Sequence, residues 1–281
     1  SMVGRQKELG ELQHIVEDLV NQKRSCFVLI TGEAGIGKSR LVSELVNQID
    51  PQQTRLCVGH TLTYRRSVSY WIFLDLLRNY LGLSAKSSES EISARVKEKL
   101  SQLLGDQAPQ TITYIDYLLN LAPTTQVMLE GFQHSEAGQL RRNLFQAVRN
   151  LLVEEAIQKP LILILEDLHW ADEASLDLLQ FILSDMRQAP VLIIALSRPF
   201  QNDRLGNLIA WANENLKDQF IQINLTRLSI QETQQLFDQL IYDSDLPEVY
   251  HQQIIERSAG VPLYLEEILQ TMISEGFLSF Q

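Results

Sequence analysis

The chain alternates between short unbroken runs of apolar residues and longer stretches in which apolar residues recur every three or four positions. The unbroken runs predict strands that are covered on both faces, as in the parallel sheet of an α/β protein. The recurring stretches predict amphipathic helices. The predicted strands are residues 26–31, 54–60, 161–165, 191–196 and 220–225.

The order of these elements indicates how the chain is organised. A helix, a strand, a glycine-rich turn, a second helix and a second strand begin the chain, which is typical of a parallel α/β sheet. Residues 61–140 are mostly helical in pattern and are interpreted as an insertion, and a domain boundary near residue 226 separates the α/β part, 1–226, from a small helical part, 227–281. Helices are predicted at 6–21, between Ser88 and Gly105, and at about 37–49, 137–158, 173–187, 229–241, 247–258 and 262–275.

Three predicted helices begin at a residue suited to capping them. Ser88 with Glu91, and Ser229 with Glu232, have the spacing of a capping box, in which each side chain bonds the other residue's amide. Asp172 precedes the helix predicted from residue 173 and is expected to cap its first turn.

The turn after the first strand has the pattern GxxxxGK[ST]. Glycines let consecutive backbone amides converge on phosphate oxygens, and the helix that follows adds the positive end of its dipole. Lys38 is expected to reach the β- and γ-phosphates, and the Ser39 hydroxyl to ligate Mg²⁺. A loop whose glycines only make a tight turn would not require a Lys-Ser pair at the helix start. The predicted nucleotide-binding residues of this turn are Gly32, Glu33, Ala34, Gly35, Ile36, Gly37, Lys38, Ser39 and Arg40.

Two adjacent acids, Glu166 and Asp167, follow the apolar run at 161–165. In P-loop NTPases such a strand supplies a carboxylate for Mg²⁺ and often an acid that polarises the attacking water. The structural alternative is a strand end followed by a helix cap. His169 and Trp170 are expected to pack beneath the site.

Arg198 comes directly after the apolar run at 191–196 and one serine. At the end of that strand its guanidinium would sense the γ-phosphate. The alternative is an ordinary strand-end arginine in a surface ion pair.

Charge and composition restrict the partners. The formal net charge of the 281 residues is −11, which repels nucleic acids and anionic membranes, so we expect neither as a direct partner. The apolar runs are too short to span a bilayer. Cys26 and Cys57 lie in apolar runs without a metal-binding spacing and are predicted to be buried, reduced thiols of a cytoplasmic protein. The apolar positions continue to the last residues, which suggests a module of a longer chain.

Five segments together resemble the STAND signal-transduction ATPases, a branch of the AAA+-like P-loop NTPases. The resemblance covers nearly the whole chain and is weakest in the insertion. It implies a three-layer P-loop NTPase sandwich with a parallel five-stranded sheet and a C-terminal helical domain. The segments are VGRQKEL, GEAGIGKS, LEDLHWAD, ALSRP and SAGVPLYLEEIL.

The resemblance also implies roles for residues whose own pattern is weak. Val3, Gly4 and Arg5 would lie along the adenine and ribose, Pro262 would touch the base, and Arg198 would be the sensor. The family's strand commonly ends in two aspartates or Asp-Glu, so the order of acids here leaves open which one serves Mg²⁺ and which the water. Arg204 lies where an arginine finger could fall, although a finger is not required.

These features predict a Mg²⁺-dependent module that binds ATP or ADP and hydrolyses ATP slowly. It would act as a switch for effector and output domains in the same longer chain and could form a nucleotide-dependent oligomer. Three alternatives stay open: a ring-forming AAA+ machine that remodels proteins or loads DNA, a small-molecule kinase, and a nucleotide-binding scaffold without turnover.

Overall fold

The structure is a computed structural model that describes residues 2–61, 68–84, 86–120, 134–199, 203–241 and 248–275. Parts of the predicted insertion (62–67, 85 and 121–133) and the last six residues lie outside the described ranges. The strands are β1 Cys26–Thr31, β2 Arg55–His60, β3 Leu161–Glu166, β4 Val191–Ser197 and β5 Phe220–Asn224. The helices are α1 Gln6–Asn21, α2 Lys38–Val46, α3 Trp71–Tyr80, α4 Glu89–Leu104, α5 Ala108–Asn120, α6 His134–Gln158, α7 Glu173–Ser184, α8 Asp203–Asn215, α9 Ile230–Leu240, α10 Glu248–Ser258 and α11 Pro262–Ser274.

The five predicted strands form one parallel sheet in the order β2-β3-β4-β1-β5. Strands β1 and β4 are buried along their whole length, and β3 is buried up to its last residue. Their uninterrupted apolar sequence is therefore explained by cover on both faces. The register of β2 with β3 pairs Arg55 with Leu161 and ends with His60 beside Glu166.

Two compact units divide the described chain. The smaller unit holds the described residues within 1–14, 30–48 and 223–281, and the larger one those within 15–29 and 49–222. The larger unit holds a core of apolar side chains from the sheet and from helices α3 to α8. The smaller unit has a core of its own, which includes Phe237, Ile254 and Leu265. The predicted domain boundary near residue 226 stays a prediction.

Most predicted helices are confirmed within a few residues of their bounds. Helix α2 ends at Val46, earlier than predicted, and α7 ends at Ser184 before a single 3₁₀ turn. Between β2 and α6 the described residues form α3, α4 and α5. In none of the described helices are length and apolar character together sufficient to cross a bilayer.

Candidate functional site

The glycine turn, which we define as residues 32–39 between β1 and the first turn of α2, is shaped by two left-handed glycines. Gly35 has a φ of 72° and Gly37 a φ of 101°, which side-chain-bearing residues rarely adopt. Gly37 directly precedes α2 and has no side chain with which to bond the first amides of that helix. The turn therefore presents backbone amides and a positive helix end, which suit an anion.

The Lys38 side chain folds back over this turn. Its Nζ atom donates hydrogen bonds of 2.9 Å to the carbonyl oxygens of both Gly32 and Glu33. These contacts place an ammonium group beside the same stretch of backbone whose amides suit an anion. Two independent sources of positive potential thus occur within one turn.

Close packing of Gly32 against Ile36 and Leu225 supports the turn. A Cβ atom at Gly32 would lie 2.7 Å from Cγ2 of Ile36 and 3.0 Å from the carbonyl oxygen of Leu225. Ile36 is only 1% exposed. Gly32 and Ile36 therefore support the turn, whereas Ala34 is exposed at its tip.

The segment that follows β5 contacts the turn at one point, and α11 contacts it at another. Arg227 donates from Nε and Nη2 to Oε2 of Glu33, at 3.2 and 3.0 Å. The amide of Leu263, in the first turn of α11, donates to the carbonyl oxygen of Gly35 at 3.2 Å. Neither contact was predicted from the sequence, because an arginine in a loop and a backbone amide give no local signal of their partners.

The N-terminal segment predicted to lie along the nucleotide base is packed in the same unit. Arg5 is 5% exposed and donates to the carbonyl oxygen of Thr226. Gly4 has a φ of 69°, and a Cβ atom there would lie 2.8 Å from both Oε1 of Glu232 and Cδ2 of Leu228. Val3 is buried. The structure thus brings the 3–5 segment against the start of α9.

The segment that carries Pro262 joins the same loop. The amide of Leu228 donates to the carbonyl oxygen of Gly260 at 2.8 Å, and a Cβ atom at Gly260 would lie 2.4 Å from the Leu228 carbonyl oxygen. Pro262 is the first residue of α11, one residue before Leu263. Within the smaller unit, residues 226–232 therefore join the predicted base-side residues to the glycine turn.

The start of α9 explains the electrostatics of this loop. Ser229 and Glu232 form the predicted capping box, which is confirmed. The hydrogen bond from the Ser229 amide to the Glu232 carboxylate, together with the Ser229 hydroxyl and the nearby Arg5 charge, lowers the pKa of Glu232 below its ordinary value.

The last predicted residue of the turn, Arg40, lies on the surface of α2. It is 68% exposed and forms an ion pair of 2.8 Å with Glu44, one helical turn further on. The proposed contact of Arg40 with nucleotide stays a prediction.

In the larger unit, the predicted acids stand where β3 ends. Glu166 is the last residue of β3, and Asp167 has a φ of 55°. Thr61, just after β2, donates from its amide and hydroxyl to the Glu166 carbonyl oxygen, at 3.3 and 3.1 Å, and from the hydroxyl to that of Asp167, at 2.6 Å. The backbone of this pair is therefore held by the neighbouring strand.

Asp172 ends the acid turn, which we define as residues 166–172. Its carboxylate accepts from the amide and hydroxyl of Ser175, at 2.9 and 2.5 Å, which confirms the predicted cap of α7. It also accepts from the amides of Tyr70 and Trp71, at 3.0 and 3.2 Å. One carboxylate thus caps α7 and holds the start of α3.

Arg198 follows β4 and contacts the acid turn through its backbone. Its amide donates to Nδ1 of His169 at 3.3 Å, and the same nitrogen lies 3.9 Å from Oδ1 of Asp167. The rings of His169 and Trp170 are 4.9 Å apart. The side chain of Arg198 is exposed, and its role as a sensor stays a prediction.

Over the described parts of the chain, no group of three or more His, Cys, Asp or Glu side chains is arranged to hold a metal ion. The hydroxyl of Ser39 and the carboxylates of Glu166 and Asp167 are nevertheless oxygen donors of the type that Mg²⁺ prefers. Mg²⁺ is commonly bound by one or two such groups together with substrate phosphates, so each of these donors has suitable chemistry, Ser39 in the smaller unit and the two acids in the larger one.

Comparison with known proteins agrees with this geometry. A family model described as AAA ATPase domain matches residues 1–194. The chain belongs to this family. An AAA ATPase domain is a P-loop module that binds ATP, and the glycine turn and acid turn both fall within the matched residues.

Relatives of this AAA ATPase domain are much longer proteins. An uncharacterized protein of Rhizobium meliloti is 26% identical over 96% of the chain, which spans 25% of that protein. Adenylate cyclase type 10 of Rattus norvegicus is 22% identical over the whole chain, which spans 17% of the cyclase. The chain therefore corresponds to a quarter or less of these relatives.

A solved structure supports the fold. The ORC1 protein of Aeropyrum pernix, determined in complex with DNA, is 14% identical, with a TM-score of 0.54 over 98% of this chain and 61% of that one. At this identity the similarity shows the α/β P-loop NTPase fold, as the glycine turn predicted.

Proposed function

We propose that this AAA ATPase domain is a Mg²⁺-dependent switch of the STAND type, which binds ATP, hydrolyses it slowly and regulates other domains of a longer signalling protein. The observation that supports this most directly is the glycine turn. Its two left-handed glycines, its open helix start and the folded-back Lys38 side chain form a binding site suited to a polyphosphate.

The chemistry of this proposal is positioning and charge neutralisation. The loop amides and Lys38 bind the β- and γ-phosphates. Ser39 and one acid of the Glu166–Asp167 pair would hold Mg²⁺, and the other acid would orient the attacking water. Bound Mg²⁺ supplies a Lewis acid that neutralises charge on the phosphates. Arg198 senses the γ-phosphate from the end of β4.

We expect slow turnover because the proposal assigns no arginine finger. A finger contributes roughly 10³- to 10⁵-fold to the rate in related chemistry. Arg204 forms an ion pair with Glu173 in this structure, so we assign it no finger role. Slow turnover would leave ATP bound for long periods, which suits a switch better than a motor.

The regulatory part of the proposal is supported by the contacts of the smaller unit. Residues 227 and 263, from the segment assigned here to a C-terminal helical domain, contact the glycine turn directly. A ligand shifts a conformational equilibrium only through contacts that differ between the two states. Such contacts give bound nucleotide a route to the helices, and from there to output domains.

The test is ATP binding and phosphate release by the purified chain, compared with its Lys38→Ala variant. We expect the variant to lose about 100-fold in ATP affinity, because two or more charge-assisted hydrogen bonds to phosphate disappear. Lys97→Ala on the exposed face of α4 removes the same charge elsewhere and should bind ATP normally.

Each alternative has its own outcome. Equal ATP affinity in wild type and Lys38→Ala would refute the site. Bound ATP that stays intact for hours would favour a scaffold without turnover, and transfer of phosphate to a metabolite would favour a kinase. The ORC1 structure was determined with DNA; DNA binding by this chain that weakens steeply with salt would favour a DNA-loading machine.

A further inference from the structure

Glu33 is an anomaly within the glycine turn. It is the one acidic residue of the sequence GEAGIGKS, in a turn whose amides and lysine otherwise attract anions. Its side chain is 55% exposed, so its charge is not removed by burial. A carboxylate at this place opposes the approach of a polyphosphate, which carries several negative charges.

Arg227 is placed to cancel that charge. Two of its nitrogens lie within 3.2 Å of a single carboxylate oxygen of Glu33, in the geometry of a charge-assisted pair. Arg227 is itself 56% exposed, and the two residues are 194 positions apart in sequence. The pair therefore joins the carboxylate to a cation from the segment that precedes α9.

We propose that Arg227 is a positioning residue for nucleotide binding, which acts through Glu33 by neutralising it and holding it against the segment before α9. This inference rests on the proposed ATP site and adds a regulatory link to it. Arg227 lies three residues before helix α9 begins, so the state of the turn is transmitted to the start of the C-terminal helices.

A second contact supports the same link. The amide of Leu263 donates to the carbonyl oxygen of Gly35, and a Cβ atom at Gly35 would lie 2.6 Å from Cβ of Leu263. The turn is thus held both by the segment that precedes α9 and by the first turn of α11. By linkage, if nucleotide strengthens these contacts, the contacts strengthen nucleotide binding by the same factor.

A double-mutant cycle separates this role from direct contact with phosphate. We would measure the Kd for MgATP of wild type, Glu33→Gln, Arg227→Gln and the double variant by calorimetry. Exposed ion pairs have modest energies, so we expect Arg227→Gln to weaken binding about three- to fivefold. Glu33→Gln should strengthen binding about twofold, and the double variant should lie within about twofold of wild type.

Two further measurements exclude a merely structural effect. The loss in Arg227→Gln should shrink as salt rises from about 50 mM to 0.5 M, because screening weakens the exposed carboxylate's repulsion. Arg227→Lys keeps the charge and should retain most of the affinity. As a control, Arg24→Gln breaks a comparable ion pair with Asp218 in the larger unit and should leave Kd unchanged.

The results that would overturn the inference are distinct from those that would overturn the ATP site. If Arg227→Gln weakened binding equally in the wild-type and Glu33→Gln backgrounds, Arg227 would act independently of Glu33. Unchanged Kd in Arg227→Gln would show that Arg227 has no part in binding. Absence of MgATP binding in the wild-type chain would instead refute the proposed function itself.

Discussion

The glycine turn and the acid turn both follow a buried strand, but backbone atoms define the first and side chains define the second. The glycine turn is defined by backbone: φ values of 72° and 101°, carbonyl oxygens bonded to Lys38, and a helix start without a side-chain cap. The acid turn is defined by side chains, and its backbone is held from outside by Thr61 and closed by Asp172.

Because of this difference, the sequence of the glycine turn predicts its function more specifically than the sequence of the acid turn does. A backbone site requires glycine at fixed positions, so the residue pattern specifies the ligand class almost by itself. A side-chain site of two adjacent carboxylates can exchange the roles of its members, since a carboxylate oxygen can either ligate Mg²⁺ or accept a hydrogen bond from water. The glycine turn is therefore specific in sequence, whereas the acid turn requires experiment to divide its roles.

The largest expected effect, a change in the rate of phosphate release, distinguishes the acid that orients water from the acid that binds Mg²⁺. We expect one of the pair Glu166→Gln and Asp167→Asn to lower the rate of phosphate release about 10²- to 10⁴-fold with ATP affinity preserved, because it removes the group that orients water. The other should weaken binding of MgATP more than binding of ATP in EDTA. Single-turnover phosphate release and calorimetry with and without Mg²⁺ measure both.

Each of these two isosteric variants serves as control for the other, since both exchange a carboxylate for an amide one residue apart. Wild-type rates in both variants would contradict a catalytic role for the acid turn. Equal loss of MgATP affinity in both would instead place the two acids on the metal.

A smaller effect tests whether the glycine turn depends on backbone geometry. Gly37→Ala places a side chain at a φ of 101°, a backbone conformation that costs about 1–3 kcal/mol of strain. Relaxation of this strain would displace the backbone amides of the turn, so we expect ATP affinity to fall about 5- to 150-fold. Equilibrium binding of ATP measures this loss.

Gly82→Ala is the matched control. Gly82 also has a positive φ, 66°, and among the described residues no atom outside its immediate neighbours would lie within 4 Å of a Cβ atom there, but it follows α3 in the larger unit. Both variants should lose stability in urea, and only Gly37→Ala should lose affinity. Normal ATP binding by Gly37→Ala would show that the turn tolerates a side chain and that its glycines are not required for the ligand.

The same contrast shows what sequence could predict. The five strands and their parallel arrangement followed from unbroken apolar runs, and the glycine turn from its spacing. The contacts of Arg227 with Glu33 and of Thr61 with the acid turn could not be predicted, because they join residues that are 194 positions apart in the first case and 105 and 106 in the second. Neither residue type is rare, so nothing in the local pattern marks such a partner.

The smallest expected effect is a pH-dependent change in unfolding free energy that arises from Glu232 in the smaller unit. Hydrogen bonds from Ser229 lower the pKa of Glu232 from the ordinary value of 4.5. The unfolded chain therefore binds this proton more readily, so the carboxylate stabilises the fold above pH 4.5, and that contribution is lost as pH falls through the lowered pKa. Because solvent screens a partly exposed carboxylate, we expect wild type to exceed Glu232→Gln by only about 0.5–1 kcal/mol in unfolding free energy near pH 7, the scale of a helix cap.

Urea unfolding of wild type and Glu232→Gln between pH 7 and pH 3 measures this contribution, and the difference should vanish on acidification. Glu91→Gln is the matched control, since Glu91 occupies the equivalent position after Ser88 at the start of α4 but lies in the larger unit. A difference for Glu232→Gln that stays constant across this range would mean that Glu232 stabilises α9 without its charge.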